Sequence, residues 1–183
     1  MGIIYRMISY SDPAIGQVEE LYTSAFPADE RRDFSDFTEL LSRGAFSVLG
    51  AFDASCSGDK LLAFITFWKL DGITYLEHFA VVPQMRGRGL GREVFTHFLG
   101  NVASTIVLEV EPPVTPIAVR RIRFYESLGL KLWDGVPYVQ PPYGPGRQPL
   151  ELKLMTHGEV SQELLEGSVA QIHCRVYGCA SAE

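Results

Sequence analysis

The sequence predicts a domain that mixes strands and helices, with an antiparallel meander at its centre. Three observations carry this expectation. Between Ala45 and Val82 the apolar residues fall in aromatic and β-branched runs, "AFSVLGAFD", "KLLAFITFWKL" and "TYLEHFAVV", separated by the turn-forming "ASCSG" and "DGI". From Gly89 the apolar spacing changes to that of a helix, with Leu90, Val94, Phe95, Phe98 and Leu99 on one face. "STIVLEVE", Ser104 to Glu111, then reads as a buried strand and leads into a second helical stretch.

Taken in order, "IIYRMIS" (Ile3 to Ser9) is the first strand. Ser11 offers an N-cap and Pro13 suits a first helical turn, so a helix is expected from "SDP" to about Phe26-Pro27. The charged "ADERRDF" leads to a short helix on which Phe34, Phe37, Leu40 and Leu41 share a face. The three central strands follow, and the helix from Gly89 stops at Gly100-Asn101. "EPPVTP" breaks the chain and caps a helix through "IAVRRIRFYESLG", which Gly129 terminates. Two more strands are expected near "LKLW" and "LELKLM", joined by a long loop, Asp134 to Pro149, of the kind that is functional or mobile. Residues 1–155 make the main domain and 156–183 a C-terminal extension. In the extension Val160, Leu164, Leu165, Val169, Ile172 and Val176 fit one helix face, to be covered by its own domain or by a second subunit in a homodimer.

The chain has 183 residues, enough for a core without staples. It carries no apolar run long enough to span a bilayer, and its start lacks the pattern of a secretory signal, so a cytoplasmic protein with no membrane partner is expected. Cys56, Cys174 and Cys179 fit free thiols better than a disulfide framework; Cys56 falls in a hairpin turn, away from any nucleophile position, and no metal site is expected. Sixteen basic residues against 22 acidic ones give a net charge of −6, which weighs against a nucleic-acid partner.

On that acidic background "VVPQMRGRGLGREVF", Val81 to Phe95, stands out. A glycine-rich turn opening a helix exposes unpaired backbone amides and the positive end of the helix dipole, which suits an anion. A dinucleotide fingerprint would need glycine where Arg92 stands, and a Walker loop would need a Gly-Lys-Ser or Gly-Lys-Thr triplet that the chain lacks. A tight turn with solvated arginines is the plainer alternative.

The stretch resembles the signature of the GNAT acetyltransferase superfamily, carried here by Arg86, Gly89 and Gly91. "RFYESLGLKL", Arg123 to Leu132, resembles the second hallmark of that family. The resemblance covers roughly residues 3–155. It implies an α/β acyl-CoA N-acyltransferase fold: a mixed, mostly antiparallel sheet splayed between its fourth and fifth strands, helices on both faces, and acetyl-CoA in the opening. It also implies that the backbone of Arg86, Gly87, Arg88, Gly89, Leu90, Gly91 and Arg92 holds the pyrophosphate, and that main-chain groups of Phe79, Ala80 and Val81 pair with pantetheine. Tyr125 matches the family's usual general acid, on the cofactor thiolate. The family often has Asn at the position of Ala118, so this helix departs from the pattern.

Acetyl transfer to an alkylamine of pKa about 10.4 needs a base near neutral pH. Glu77 and His78 interrupt an otherwise apolar strand, and strand alternation sends them to opposite sides unless the strand bulges. Glu77 is the expected base, at a position where the family often carries a catalytic acid residue; the plainer reading is that it pairs with an arginine such as Arg120 or Arg121. His78 is expected to be structural, and Tyr125 read on spacing alone is a core aromatic. The acceptor, a small-molecule or peptide amine, is expected between "AFPADERRDF" and "VPYVQPPYGPG", with Glu30, Phe34, Tyr138, Gln140 and Tyr143 as candidates. Two other classes compete: a non-catalytic acyl-CoA binding or sensing module, and an interaction protein working through its C-terminal helix.

Overall fold

The structure, a computed structural model, describes residues 2–55 and 59–179. Cys56 lies outside these residues. Seven strands, β1 (Ile3–Ile8), β2 (Ser47–Asp53), β3 (Leu61–Lys69), β4 (Ile73–Val81), β5 (Thr105–Val110), β6 (Lys131–Gln140) and β7 (Leu150–His157), form one mixed sheet in the order β1-β2-β3-β4-β5-β7-β6. Five helices accompany them: α1 (Ile15–Ala25), α2 (Phe34–Ser42), α3 (Leu90–Gly100), α4 (Pro116–Glu126) and α5 (Gln162–Gln171). The chain divides into two compact units, Met1–Trp68 with Glu77–Asn101, and Lys69–Leu76 with Val102–Glu183.

In the first unit β1 pairs antiparallel with β2, and β2 with β3. Alternation along β3 sorts the aromatic core by side. Phe64 meets Tyr22 of α1 and Trp68 meets Phe46, which also contacts Phe37 of α2, whereas Phe67 meets Phe98 of α3. Helices therefore cover both faces, as the fold expectation requires. α1 begins later than "SDP" suggests. Its N-cap is Ala14, whose methyl group cannot cap, and Asp12, an ion-pair partner of Arg6, accepts from the Ala14 N–H at 2.8 Å.

In the second unit β4 and β5 are parallel, and their ladder spans only Ile73↔Thr105 to Leu76↔Leu108. β7 pairs antiparallel with both β5 and β6. Thr115 caps α4 by accepting from Ala118 N–H, Pro116 occupies its first turn, and Gly129 ends the segment at φ 88. The expected long loop is shorter than the sequence suggests. β6 runs on to Gln140, with an irregularity between Trp133 and Tyr138. Gly135 and Pro137 look like loop residues, but β6 is an edge strand, where a missing N–H and a bulge are tolerated.

After β7, which continues through His157, α5 is capped by Ser161 and passes into a π-helical turn at Ile172–Val176. Leu165 and Ile172 are fully buried. The Gln171 amide clasps Asp71, accepting from its N–H at 2.8 Å and donating to its carbonyl at 3.1 Å. This segment therefore docks within the second unit. No helix among the described residues is long and apolar enough to cross a membrane.

Candidate functional site

The turn between β4 and α3 is built for backbone exposure. Gly87 and Gly89 have φ of 74 and 85, a region side chains rarely adopt, and a Cβ at either would meet nothing within 4 Å. Gly89 is the N-cap of α3, so the first amides of that helix have no acceptor within it. Arg86, Arg88 and Arg92 are exposed around them. A bare, cationic helix N-terminus with open space at its glycines fits a phosphate group, and so fits the pyrophosphate of a coenzyme A. At the end of β4, Arg86 Nε donates to the Val81 carbonyl at 2.9 Å, bracing the turn and using one acceptor of the Phe79–Val81 segment. The Phe79 side chain meets Phe95 of α3, and Ala80 is buried.

Also in the first unit, Glu77 is the centre of a buried polar cluster. Its side chain is 1% exposed; one oxygen is ion-paired to Arg32, itself 6% exposed, and the other accepts from Trp68 Nε1 at 2.9 Å. The arginine is not Arg120 or Arg121, the partners the sequence suggests, and Arg121 pairs instead with Glu111 at 2.7 Å. Burial alone would raise the Glu77 carboxyl, but Arg32, His78 and the Trp68 hydrogen bond more than offset it and hold the group below the usual carboxylate range. Glu77 is an ionised, charge-balanced carboxylate.

His78 does not point away from Glu77. Its Nδ1 lies 3.8 Å from Glu77 Oε2, and the two residues reach Thr66 and Trp68, which alternation puts on one side of β3. Both side chains thus reach partners on one side of β3, so the expectation of opposite sides fails. Burial lowers the affinity of His78 for a proton despite Glu77 nearby. In the neutral ring Nε2–H donates to the Glu30 carbonyl at 3.0 Å, since that oxygen can only accept, and Nδ1 accepts from the Thr66 hydroxyl at 3.2 Å. Glu30 thus contributes backbone to the cluster, and Phe34 stacks on Phe37 at 4.9 Å.

The second unit holds a different cluster. Glu109 on β5 accepts from the Tyr138 hydroxyl and from that of Tyr177, whose oxygen is 3.2 and 3.0 Å from the two carboxylate oxygens. Tyr177 in turn lies 3.1 Å from the Tyr75 hydroxyl and 3.5 Å from that of Tyr143. Tyr138 and Tyr143 therefore join one network, while Gln140 is buried beside Pro141. On α4, Tyr125 is 7% exposed, and burial pushes its hydroxyl up to about 12 although Arg121 pulls the other way. It keeps its proton at neutral pH.

The model of the acetyltransferase (GNAT) family matches residues 15–130, more than half of the chain. The chain belongs to the GNAT family. A GNAT structure from Bacteroides thetaiotaomicron, described as an acetyltransferase of that family, is 37% identical over 97% of this chain and 99% of its own, with a TM-score of 0.88. Arabidopsis thaliana NAA60 in complex with acetyl-CoA shares the GNAT fold at 18% identity over 85% of this chain and 98% of its own, TM-score 0.62. So does the ribosomal-protein-S18-alanine N-acetyltransferase of Escherichia coli, at 19% identity, 89% and 99% coverage and TM-score 0.61. No curated protein matches the sequence. This GNAT protein is an acetyl-CoA-dependent N-acetyltransferase.

Sequence reasoning missed Arg32, Glu109, Tyr75 and Tyr177. Glu109 had a signal: it is a carboxylate inside the apolar "STIVLEVE", the same anomaly that singles out Glu77. Arg32 had none, because one arginine of a charged loop looks like any other until the chain folds.

Proposed function

We propose that this GNAT enzyme acetylates a primary amine of a small molecule or peptide. In the reaction a neutral amine attacks the thioester carbonyl, forming the C–N bond; the C–S bond breaks and the electron pair leaves on sulfur. The thiolate takes a proton from Tyr125, and the proton lost by the amine goes to a carboxylate. The cofactor supplies the activated acetyl group. Backbone amides of Arg86–Arg92 hold its pyrophosphate, and main-chain groups of Phe79–Val81 align its arm. The candidate acceptor residues are Glu30 and Phe34 in the first unit and Tyr138, Gln140 and Tyr143 in the second, and a reducing cytoplasm suits the free thiols Cys174 and Cys179.

The observation that carries this reading is the buried Tyr125 hydroxyl on α4, inside the stretch that matches the acetyltransferase family model. The sequence suggests Glu77 as the carboxylate that takes the amine proton. A second reading gives that role to Glu109, favoured by one contrast: a guanidinium pairs with Glu77 and opposes its protonation, whereas the phenols of Tyr138 and Tyr177 donate to Glu109. Similar folds include a spermidine N-acetyltransferase chimera from Vibrio cholerae, besides the S18-alanine enzyme, so a polyamine and a peptide N-terminus are both worth offering.

The test is coenzyme A thiol release on a panel of amino acids, spermidine, an aminoglycoside and alanine-initiated peptides. Turnover of at least one amine is expected, and Tyr125→Phe should lower it by about 10² or more with coenzyme A affinity unchanged. Coenzyme A binding with no thiol release on any amine would make the protein a sensing module instead.

A further inference from the structure

We infer that Tyr177, on the segment that follows the last strand, is a positioning residue for acetyl transfer: it fixes the Glu109 carboxylate, so residues 162–177 complete the working site of the second unit. The inference rests on the reading of Glu109 as the group that takes the amine proton.

The geometry is that of a hub. A phenol has one proton to donate and two lone pairs to accept with. The Tyr177 oxygen has four polar neighbours in range, the two oxygens of Glu109 and the hydroxyls of Tyr75 and Tyr143. The carboxylate can only accept, so the Tyr177 proton goes to Glu109, Tyr75 is a donor that Tyr177 can receive, and the Tyr143 hydroxyl borders the same oxygen at 3.5 Å. Tyr138, the other phenol on Glu109, donates to Oε1. Tyr177 is thus the group through which β4, β5 and the loop after β6 share one hydrogen-bond network, and it is supplied by neither the sheet nor α4.

Its placement is over-determined by packing. Ile172 and Val176 are buried, Gln171 clasps Asp71, His173 Nε2 lies 3.1 Å from the Val139 carbonyl, and the Tyr177 ring lies 5.0 Å from that of Tyr143. The π-helical turn Ile172–Val176 inserts an extra residue just before Tyr177, and such turns re-aim the side chains that follow them. Burial keeps Tyr177 and Tyr138 protonated, so both remain donors across the working range. The other titratable groups bordering the network are His173, against the Tyr138 ring, and Cys179, whose charge bears on Tyr138.

The test compares Tyr177→Phe, Glu109→Gln and the double variant in thiol release with whichever amine of the panel the unaltered protein turns over fastest. Losing a hydrogen bond to a charged group should lower kcat/KM for the amine about tenfold and move the acid limb of its pH profile to higher pH, since the bond favours the ionised carboxylate. KM for acetyl-CoA and the melting temperature should hardly change. In the Glu109→Gln background the Tyr177→Phe change should cost nothing further, because the two act as one unit. An equal loss in both backgrounds, or an unmoved pH profile, would reduce Tyr177 to packing and overturn the inference. Full turnover by Glu109→Gln would remove the base on which it rests. Absence of turnover by the unaltered protein with every amine of the panel, with coenzyme A still bound, would strike the acetyl-transfer reading itself.

Discussion

At the scale of single residues the Arg32–Glu77 pair is the sharpest feature of the first unit. Two buried charges are tolerable because each balances the other, and removing one leaves an uncompensated charge. Arg32→Met should therefore cost about 3–5 kcal/mol in denaturant unfolding, whereas Arg32→Met with Glu77→Leu should recover most of that loss. A double variant as unstable as the single one would show that the charge imbalance is not the cause. The same pair of proteins tests chemistry. Thiol release that survives in the double variant makes Glu77 a structural anchor, and its loss returns Glu77 to the reaction. Only half of this was legible beforehand. A carboxylate in an apolar strand announces itself, but its partner is chosen by the tertiary fold, and nothing local distinguishes Arg32 from Arg31.

At the scale of elements, glycine shows how one substitution takes opposite signs by position. Gly89 holds φ 85 at the mouth of α3, where a Cβ meets no atom yet strains the backbone; Gly89→Ala should destabilise by about 1–2 kcal/mol and weaken coenzyme A binding in calorimetry. Gly167 is an exposed interior residue of α5 with open space around it, so Gly167→Ala should stabilise by about 0.5–1 kcal/mol and leave coenzyme A affinity alone. A destabilised Gly167→Ala or a neutral Gly89→Ala would break the argument. The elements the sequence located well are those with local punctuation: the turn at "DGI", the Thr115-Pro116 start of α4 and the stop at Gly129. It failed where a strand broke its own rule. The Gly135–Pro137 irregularity made an edge strand look like a loop, and Glu77 and His78, which alternation separates, reach partners on one side of β3. Both depend on pairing with neighbours distant in sequence, which no window of the chain records.

At the scale of the whole molecule, the ionisable groups displaced by folding divide into two sets with opposite pH dependence. His78, lowered by burial, Asp12, lowered chiefly by its bond to Arg6, and Glu77, lowered by Arg32 and its neighbours against the pull of burial, all bind protons less readily folded than unfolded. Their stabilisation is present above the unfolded values and lost on acidification, beginning with His78 below about pH 6.5 and adding the carboxylates below about pH 4.5. Tyr22, Tyr125, Tyr138 and Tyr177 are raised, chiefly by burial, so their stabilisation is complete below about pH 10 and lost as the pH climbs through their folded values. The two sets leave a plateau of stability between about pH 7 and about pH 9.5. On its acid side the initial slope should approach about 1.4 kcal/mol per pH unit for each group that titrates there, with His173 adding to His78 because burial lowers both. Denaturant unfolding at stepped pH measures this directly. His78→Gln, which can still donate to the Glu30 carbonyl, should flatten the curve between about pH 6.5 and about pH 5 without moving the alkaline edge. An unchanged acid slope in that variant would mean that another group drives the loss, and a stability that rises from pH 7 to pH 5 would reverse the sign assigned to the whole buried acid set.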